Sequence, residues 1–242
     1  MKTALITGSS RGIGKAIALR LASDGFKVII HCSGDTAKAQ VVRDTIISNG
    51  GQAEVLAANL CNLEETEKLA DKAKNVDVLV LNASIQIRNN WLDITVKESY
   101  DQLNCNLISS LILMQKVVPY MKEKGWGRII TIGSIQEKKP HPDMLIYSAG
   151  KAAQTNMAES LANQLAPYGI TVNNVAPGII LTDRNTDALS NKEYAKQVLD
   201  KIPAGYFGTP EDCAPTVSLL CSDEGKYITG QNIFIDGGRG LY

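Results

Sequence analysis

Seven short apolar runs recur along this chain of 242 residues, and most are continuous rather than alternating. They are "TALI" at 3–6, "KVIIHC" at 27–32, "GQAEVLAANL" at 51–60, "VDVLVLNAS" at 76–84, "GRIITIGS" at 127–134, "GITVNNVAPG" at 169–178 and "NIFID" at 232–236. A parallel strand covered on both faces needs such a run, because side chains on either face meet apolar neighbours. Between the runs the period changes. "IGKAIALRLASDG" carries apolar residues at 13, 16, 17, 19 and 21, close to helical spacing, and Gly25 stands where a helix stops. Further helices are predicted from a cap at Asp35 or Thr36 to about Ser48, and over 63–74, 97–122, 146–168 and 210–222. A polar stretch with helical pieces runs to about Asp200. Strands alternating with helices imply an α/β fold with a seven-stranded parallel sheet between two helical layers. No linker, repeat or low-complexity tract divides the chain, so 1–242 is read as one domain.

Composition narrows the function classes. Lys plus Arg and Asp plus Glu are both 25, giving a formal net charge of zero. That argues against a bulk electrostatic grip on nucleic acid or an anionic membrane. No apolar run approaches the roughly 18 residues of a membrane span. The first residues lead straight into "ALITG", so no signal peptide is expected. Cys32, Cys61, Cys105, Cys213 and Cys221 are isolated and odd in number, as core thiols in a reducing compartment would be. A cytoplasmic protein without a bound metal is expected.

In parallel sheets of this kind ligands bind beyond the C-terminal ends of the strands, and the informative residues stand there. "TGSSRGIG" at 7–14 follows the first strand and opens the first helix. Gly8 and Gly12 permit a backbone that turns N–H groups toward an anion, and Gly14 lets the helix approach the sheet. The spacing differs from G-x-G-x-x-G, and a plain strand–helix turn is the competing reading. "YSAGK" places Tyr147 and Lys151 one helical turn apart on one face. An ammonium beside a phenol lowers the phenol's pKa from its usual value near 10 and suits the pair to acid–base work, though a solvated helix face has the same spacing. Ser134 ends the fifth strand and is either a hydrogen-bond donor to a reacting oxygen or a capping serine. Asn106, inside the long helix, is a poor helix residue with either a buried task or a core role.

In this order the glycine loop, Asn106, Ser134, Tyr147 and Lys151 resemble the short-chain dehydrogenase/reductase family across essentially the whole chain. "TGSSRGIG" is similar to the family's T-G-x-x-x-G-x-G, "LNAS" at 81–84 to its N-N-A-G, and "YSAGK" to its Y-x-x-x-K, 13 residues after Ser134. "APG" at 176–178 and "ITGQNIFIDGG" at 228–238 resemble its closing motifs. The resemblance implies a Rossmann-like three-layer sandwich and hydride transfer between a nicotinamide and a substrate carbon. It implies that Tyr147 exchanges the proton and Ser134 polarises the substrate oxygen. Lys151 would tune Tyr147 and bind the nicotinamide ribose, and Asn106 would hold a water behind Lys151. Cofactor contacts are then expected from Gly8, Ser10, Arg11, Gly12, Ile13 and Gly14. They are also expected from Asn59, Leu60, Asn82 and Ala83, from Tyr147 and Lys151, and from Pro177, Gly178, Ile180 and Thr182. The chain departs from the pattern at Leu81 and Ser84 beside Asn82, and at "NLCN" (59–62), where the family often has D-V-x-D.

At the tip of the second strand, where NAD-preferring members carry an Asp, stand Cys32 and Ser33. With Arg11 nearby this favours NADP(H), with NAD(H) as the alternative if Asp35 folds back from its capping place. His31 is read as strand packing. Two substrate classes compete. "GRIITIGS" and "GITVNNVAPG" look like 3-oxoacyl-carrier-protein reductases, while "SIQEKKPHPDMLIYSAGKAA" and "IPAGYFGTPED" look like glucose 1-dehydrogenase-type sugar dehydrogenases. Gln136, His141 and Arg184, with Ser134 and Tyr147, suit a small polar sugar, polyol or oxo-acid, and the competing reading is that the polar residues of these segments face solvent on a mobile lid. Arg128 is a candidate for carrier-protein docking that decides little. A cofactor-binding protein without chemistry is the alternative of another class. Relatives are homotetramers, and "AAQTNMAESLANQLA" is apolar on more than one side, so a homotetramer or dimer is expected.

Overall fold

A computed structural model describes residues 1–241; within the segment 183–190 the side chains at 184 and 186–188 lie outside the described set. Seven strands form one parallel sheet: β1 (Thr3–Ile6), β2 (Lys27–Cys32), β3 (Gln52–Ala57), β4 (Val78–Leu81), β5 (Gly127–Ile132), β6 (Ile170–Pro177) and β7 (Asn232–Ile235). Their order is β3-β2-β1-β4-β5-β6-β7. β1, β2, β4, β5 and β6 are almost wholly buried, which is why each reads as a continuous apolar run. β3 alternates more and sits at an edge.

The helices are α1 (Gly12–Ser23), α2 (Ala37–Ser48), α3 (Leu63–Lys72), α4 (Val96–Leu103), α5 (Ser109–Lys124), α6 (Leu145–Leu165), α7 (Asp183–Ser190), α8 (Lys192–Leu199) and α9 (Pro210–Cys221). On one face of the sheet Ile17 and Leu21 of α1, Val42 and Ile46 of α2, and Val217 and Leu220 of α9 pack against β1, β2 and β5. On the other face Leu69 of α3, Leu113 and Val117 of α5, and Ala158 and Ala162 of α6 cover the sheet. The result is the expected three-layer sandwich.

The predicted helix over 97–122 is two helices. Between α4 and α5 a π-helical turn spans Asn104–Ile108, one residue wider than the α-helical repeat. The predicted cap of α2 is shared. Thr36 occupies the cap position without a side-chain bond to the helix backbone, and Asp35 Oδ1 accepts from Ala37 N at 2.9 Å.

The sheet order reverses between β1 and β4. Loops after the two strands diverge there and leave an opening at their C-terminal ends.

Candidate active site

A cleft of 570 Å³ opens at that position, lined by loops after β1 to β6, by α8 and by Arg239 after β7. Its floor is the glycine loop. Gly8 and Gly12 have φ of 63° and 55°, in the left-handed region that favours glycine. A Cβ on Gly14 would lie 2.4 Å from Gly8 O and 2.5 Å from Asn82 Nδ2, so no larger residue fits behind the loop. Asn82 Nδ2 donates to Thr7 O at 2.9 Å and to Gly8 O at 3.0 Å. It therefore ties the loop after β4 to the loop after β1.

His31 corrects its sequence reading. It is buried, but its ring is part of the site. Gly8 N donates to Nδ1 at 3.0 Å, and Nε2–H donates to Ala58 O at 3.0 Å. Burial depresses its pKa to about 4, so the ring is neutral and Nδ1 is an acceptor at neutral pH. The sequence offered no signal for this, because the partners are two backbone groups from distant segments.

Gly8, Ser10, Arg11, Gly12, Ile13, Cys32, Ser33, Asn59, Leu60, Asn82 and Ala83 all line the nucleotide side of the cleft. Pro177, Gly178, Ile180 and Thr182 line it from the loop after β6. Gly14 lies behind the wall and acts through packing. Asn59 Oδ1 accepts from Cys61 N at 3.1 Å. Arg11 Nη1 is 3.5 Å from Asp183 Oδ2, and Lys38 Nζ reaches the same oxygen at 4.0 Å. Asp35 is not among the lining residues, and Cys32 and Ser33 are.

Ser134, Tyr147 and Lys151 also converge on the cleft. Ser134 is buried at the start of the short turn 135–137, and its Oγ accepts from Gln136 N at 3.2 Å. Tyr147 and Lys151 stand one turn apart on α6. Lys151 Nζ lies 5.9 Å from the Tyr147 ring centroid and donates to Ile132 O at 2.6 Å. Asn106 is buried in the π-helical turn but does not line the cleft. Its Oδ1 accepts from Ile85 N and its Nδ2 donates to Ile85 O, both at 2.9 Å. The side-chain amide thus clamps the segment after β4.

Gln136 and His141 line the opposite end. Gln136 accepts from Ser148 Oγ at 3.1 Å, and His141 Nδ1 accepts from Asp143 N at 3.1 Å. The side chain of Arg184 lies outside the described residues. Sequence reasoning missed Arg88, Lys139, Tyr194 and Arg239, which also line the cleft. They are spread over 152 positions, and nothing local marks them. Among the described lining residues Arg11, Arg88, Lys139, Lys151 and Arg239 are cationic, and Asp183 is the carboxylate.

Burial favours the neutral form of the thiols. Burial raises the pKa of Cys32 and Cys61, pushes Cys105 and Cys213 up to about 12, and raises Cys221 furthest. Among the described residues no group of three His, Cys, Asp or Glu side chains could hold a metal. Among them, too, no helix is long and apolar enough to cross a membrane.

A parallel α/β sheet with a glycine loop at its switch point and a Ser, Tyr and Lys set beside it defines a nicotinamide-dependent dehydrogenase or reductase. The family model described as enoyl-(acyl carrier protein) reductase matches residues 8–239. The 3-oxoacyl-[acyl-carrier-protein] reductase FabG of Staphylococcus aureus is 39% identical over 98% of this chain and 97% of its own. The chain belongs to the short-chain dehydrogenase/reductase family. Among solved structures, a candidate NAD(P)-dependent gluconate 5-dehydrogenase from Beutenbergia cavernae with NADP bound at low occupancy is similar at a TM-score of 0.96. It is 33% identical, and the match covers 100% of this chain and 97% of that one. A 3-oxoacyl-(acyl-carrier-protein) reductase from Agrobacterium tumefaciens with NADP is similar at a TM-score of 0.93. It is 36% identical, with 98% and 93% covered.

Proposed function

We propose that this enzyme interconverts a secondary alcohol and a ketone on a small polar acid, using NADP(H). The carrying observation is the charge of the substrate half of the cleft. Arg88, Lys139 and Arg239 line it, and none has a carboxylate partner among the described residues. Asp183, the carboxylate of the lining, is taken by Arg11 and Lys38. The whole chain has zero formal charge, so this excess is local. A carboxylate on the substrate supplies the missing partner. Two of the similar structures, described as candidate gluconate dehydrogenases, agree with this class.

The glycine loop fits a dinucleotide: its positive-φ glycines and the close packing behind Gly14 leave backbone N–H groups at the N-terminus of α1. Ser33, Arg11 and Lys38 suit a 2′-phosphate, and no acid at the tip of β2 repels one. When bound, the nicotinamide supplies or accepts the hydride. Tyr147 passes the proton to or from the substrate oxygen, and Ser134 donates a hydrogen bond to that oxygen. Lys151 favours the phenolate by its charge. Asn106 holds the segment after β4 that walls the nicotinamide end.

A second reading, 3-oxoacyl-carrier-protein reductase, is favoured by the 39% identity to FabG. Arg128, the docking candidate, does not support it. This side chain is 2% exposed and donates to Ser222 O, Gly127 O and Gly169 O. It lies at the N-terminal end of β5, away from the cleft. The non-catalytic alternative is disfavoured by the intact Ser, Tyr and Lys set.

Reduced-nicotinamide absorbance separates these readings. NADP⁺ with gluconate should turn over, and its uncharged counterpart glucitol should be at least about tenfold poorer in kcat/KM, the value of one lost charge-assisted contact. Arg239→Gln and Lys139→Gln should erase that preference and leave cofactor KM nearly unchanged. Turnover of NADPH with acetoacetyl-carrier protein and not with sugar acids would overturn the small-acid reading. In the cell the five free cysteines support a reducing, cytoplasmic setting.

A further inference from the structure

Gln154 lies one turn beyond Lys151 on α6, and its side chain is fully buried. Its Oε1 accepts from Lys151 Nζ at 3.2 Å, and its Nε2 donates to Ser110 Oγ at 3.0 Å. Ser110 Oγ donates in turn to Asn106 O at 3.3 Å. A polar line thus runs inside the protein from Lys151 through Gln154 and Ser110 to the π-helical turn. Burying an amide is costly unless its groups are paired, and Met would fill a similar volume without that cost. Packing does not account for an amide here, whereas the ammonium beside it does. Lys151 is 1% exposed, and a cation taken out of water needs oxygen dipoles to remain charged. Ile132 O is one such dipole and Gln154 Oε1 is another.

We infer that Gln154 is a positioning residue whose amide oxygen fixes the Lys151 ammonium and keeps it charged beside Tyr147. This rests on the reading of Tyr147 and Lys151 as the acid–base pair. Among the described residues, Cys105 and Glu137 are titratable groups close to Lys151 and Gln154. Cys105, from the π-helical turn, is kept neutral by its burial. Glu137, after β5, spends Oε2 on Thr155 Oγ1 at 2.8 Å, next to Gln154. Lys151 brings its positive charge to 5.9 Å from the Tyr147 ring centroid. An apolar residue at 154 strips one oxygen from the ammonium, weakens its charge and leaves the phenol harder to ionise.

Ultraviolet titration of the phenolate in the whole enzyme tests this without any substrate. Subtracting the Tyr147→Phe titration isolates the Tyr147 step. Gln154→Met should move that step up by about one pH unit, a tenfold change in the ionisation constant. Ser110→Ala, which frees the far end of the amide, should move it the same way by less. Both variants should lower kcat for gluconate oxidation near neutral pH, with cofactor KM almost unchanged. Circular dichroism checks folding, and if Gln154→Met does not fold, Ser110→Ala decides. A Tyr147 step unmoved in the folded variants overturns the inference and leaves Gln154 a core amide. If wild type and Tyr147→Phe titrate alike, the acid–base reading itself falls.

Discussion

His31 links the glycine loop to β2 and to the end of β3, and it does so only while neutral. Its Nδ1 must accept from Gly8 N, and protonation would set two donors against each other. The folded pKa is depressed to about 4 against 6.5 in the unfolded chain. Between those values the unfolded state binds more protons, so stability falls as pH falls through that window and is fully present above 6.5. The loss from pH 7 to pH 5 should be about 2 kcal/mol from this residue. Urea unfolding at both pH values checks it: His31→Asn should be less pH-dependent than wild type by about that amount. The catalytic candidates were legible in the sequence because a fixed spacing put Tyr147, Lys151 and Ser134 into one pattern. His31 and Gln154 were not, because each reads as ordinary filling of its element until the third dimension supplies its partners.

The carboxylate of Glu137 ties the turn after Ser134 to the sheet and to α6. Glu137 accepts from Thr155 Oγ1 of α6 at 2.8 Å, from Asn174 Nδ2 of β6 at 3.3 Å, and from Asn232 Nδ2 of β7 in a short contact. Asn174 is buried and also accepts from Thr131 Oγ1 of β5 at 2.6 Å. Three strands and the Tyr147 helix are thus tied to the loop that carries Ser134. Glu137→Ala would leave these donors unpaired and should cost about 3 kcal/mol in chemical unfolding. Glu137→Gln should cost less, because one amide oxygen can still accept. Activity should fall with Ala by more than stability explains, since Ser134 is released with the turn. At this scale the sequence carried most of the fold. Strands buried on two faces must be continuous in apolar residues, and helices that cover them must repeat near 3.6. The break in the predicted helix at Asn104–Ile108 left only one trace, the helix-poor Asn106, which alone does not distinguish a π-helical turn from a continuous helix. The cations of the substrate half were equally hidden. Arg88 follows β4, Lys139 follows β5 and Arg239 follows β7, and only the sheet order brings them together.

As a whole, the chain leaves one face of α6 unexplained. Leu145, Ala149, Ala152, Ala153 and Asn156 are exposed, with Leu145 at 50%, although the opposite side packs on the sheet. α4 packs against the same helix and exposes Tyr100 at 62%, and Leu111 of α5 is 37% exposed. Small side chains along an exposed helix allow close approach of a second helix, and the apolar residues around them gain by leaving water. Self-association through a two-fold axis would bury this face with one identical patch. The same helix carries Tyr147, Lys151 and Gln154 on its inner side, so assembly would also stiffen the site. Light scattering should therefore give a mass of a dimer or of four 26.1 kDa chains. Ala153→Arg should put a charge in the centre of the face and shift the mass toward a single chain at micromolar concentration. It should lower the unfolding midpoint and kcat together, because an isolated chain leaves α6 packed on one side. A wild-type mass of one chain would remove this account and leave the alanines as solvent-facing helix formers.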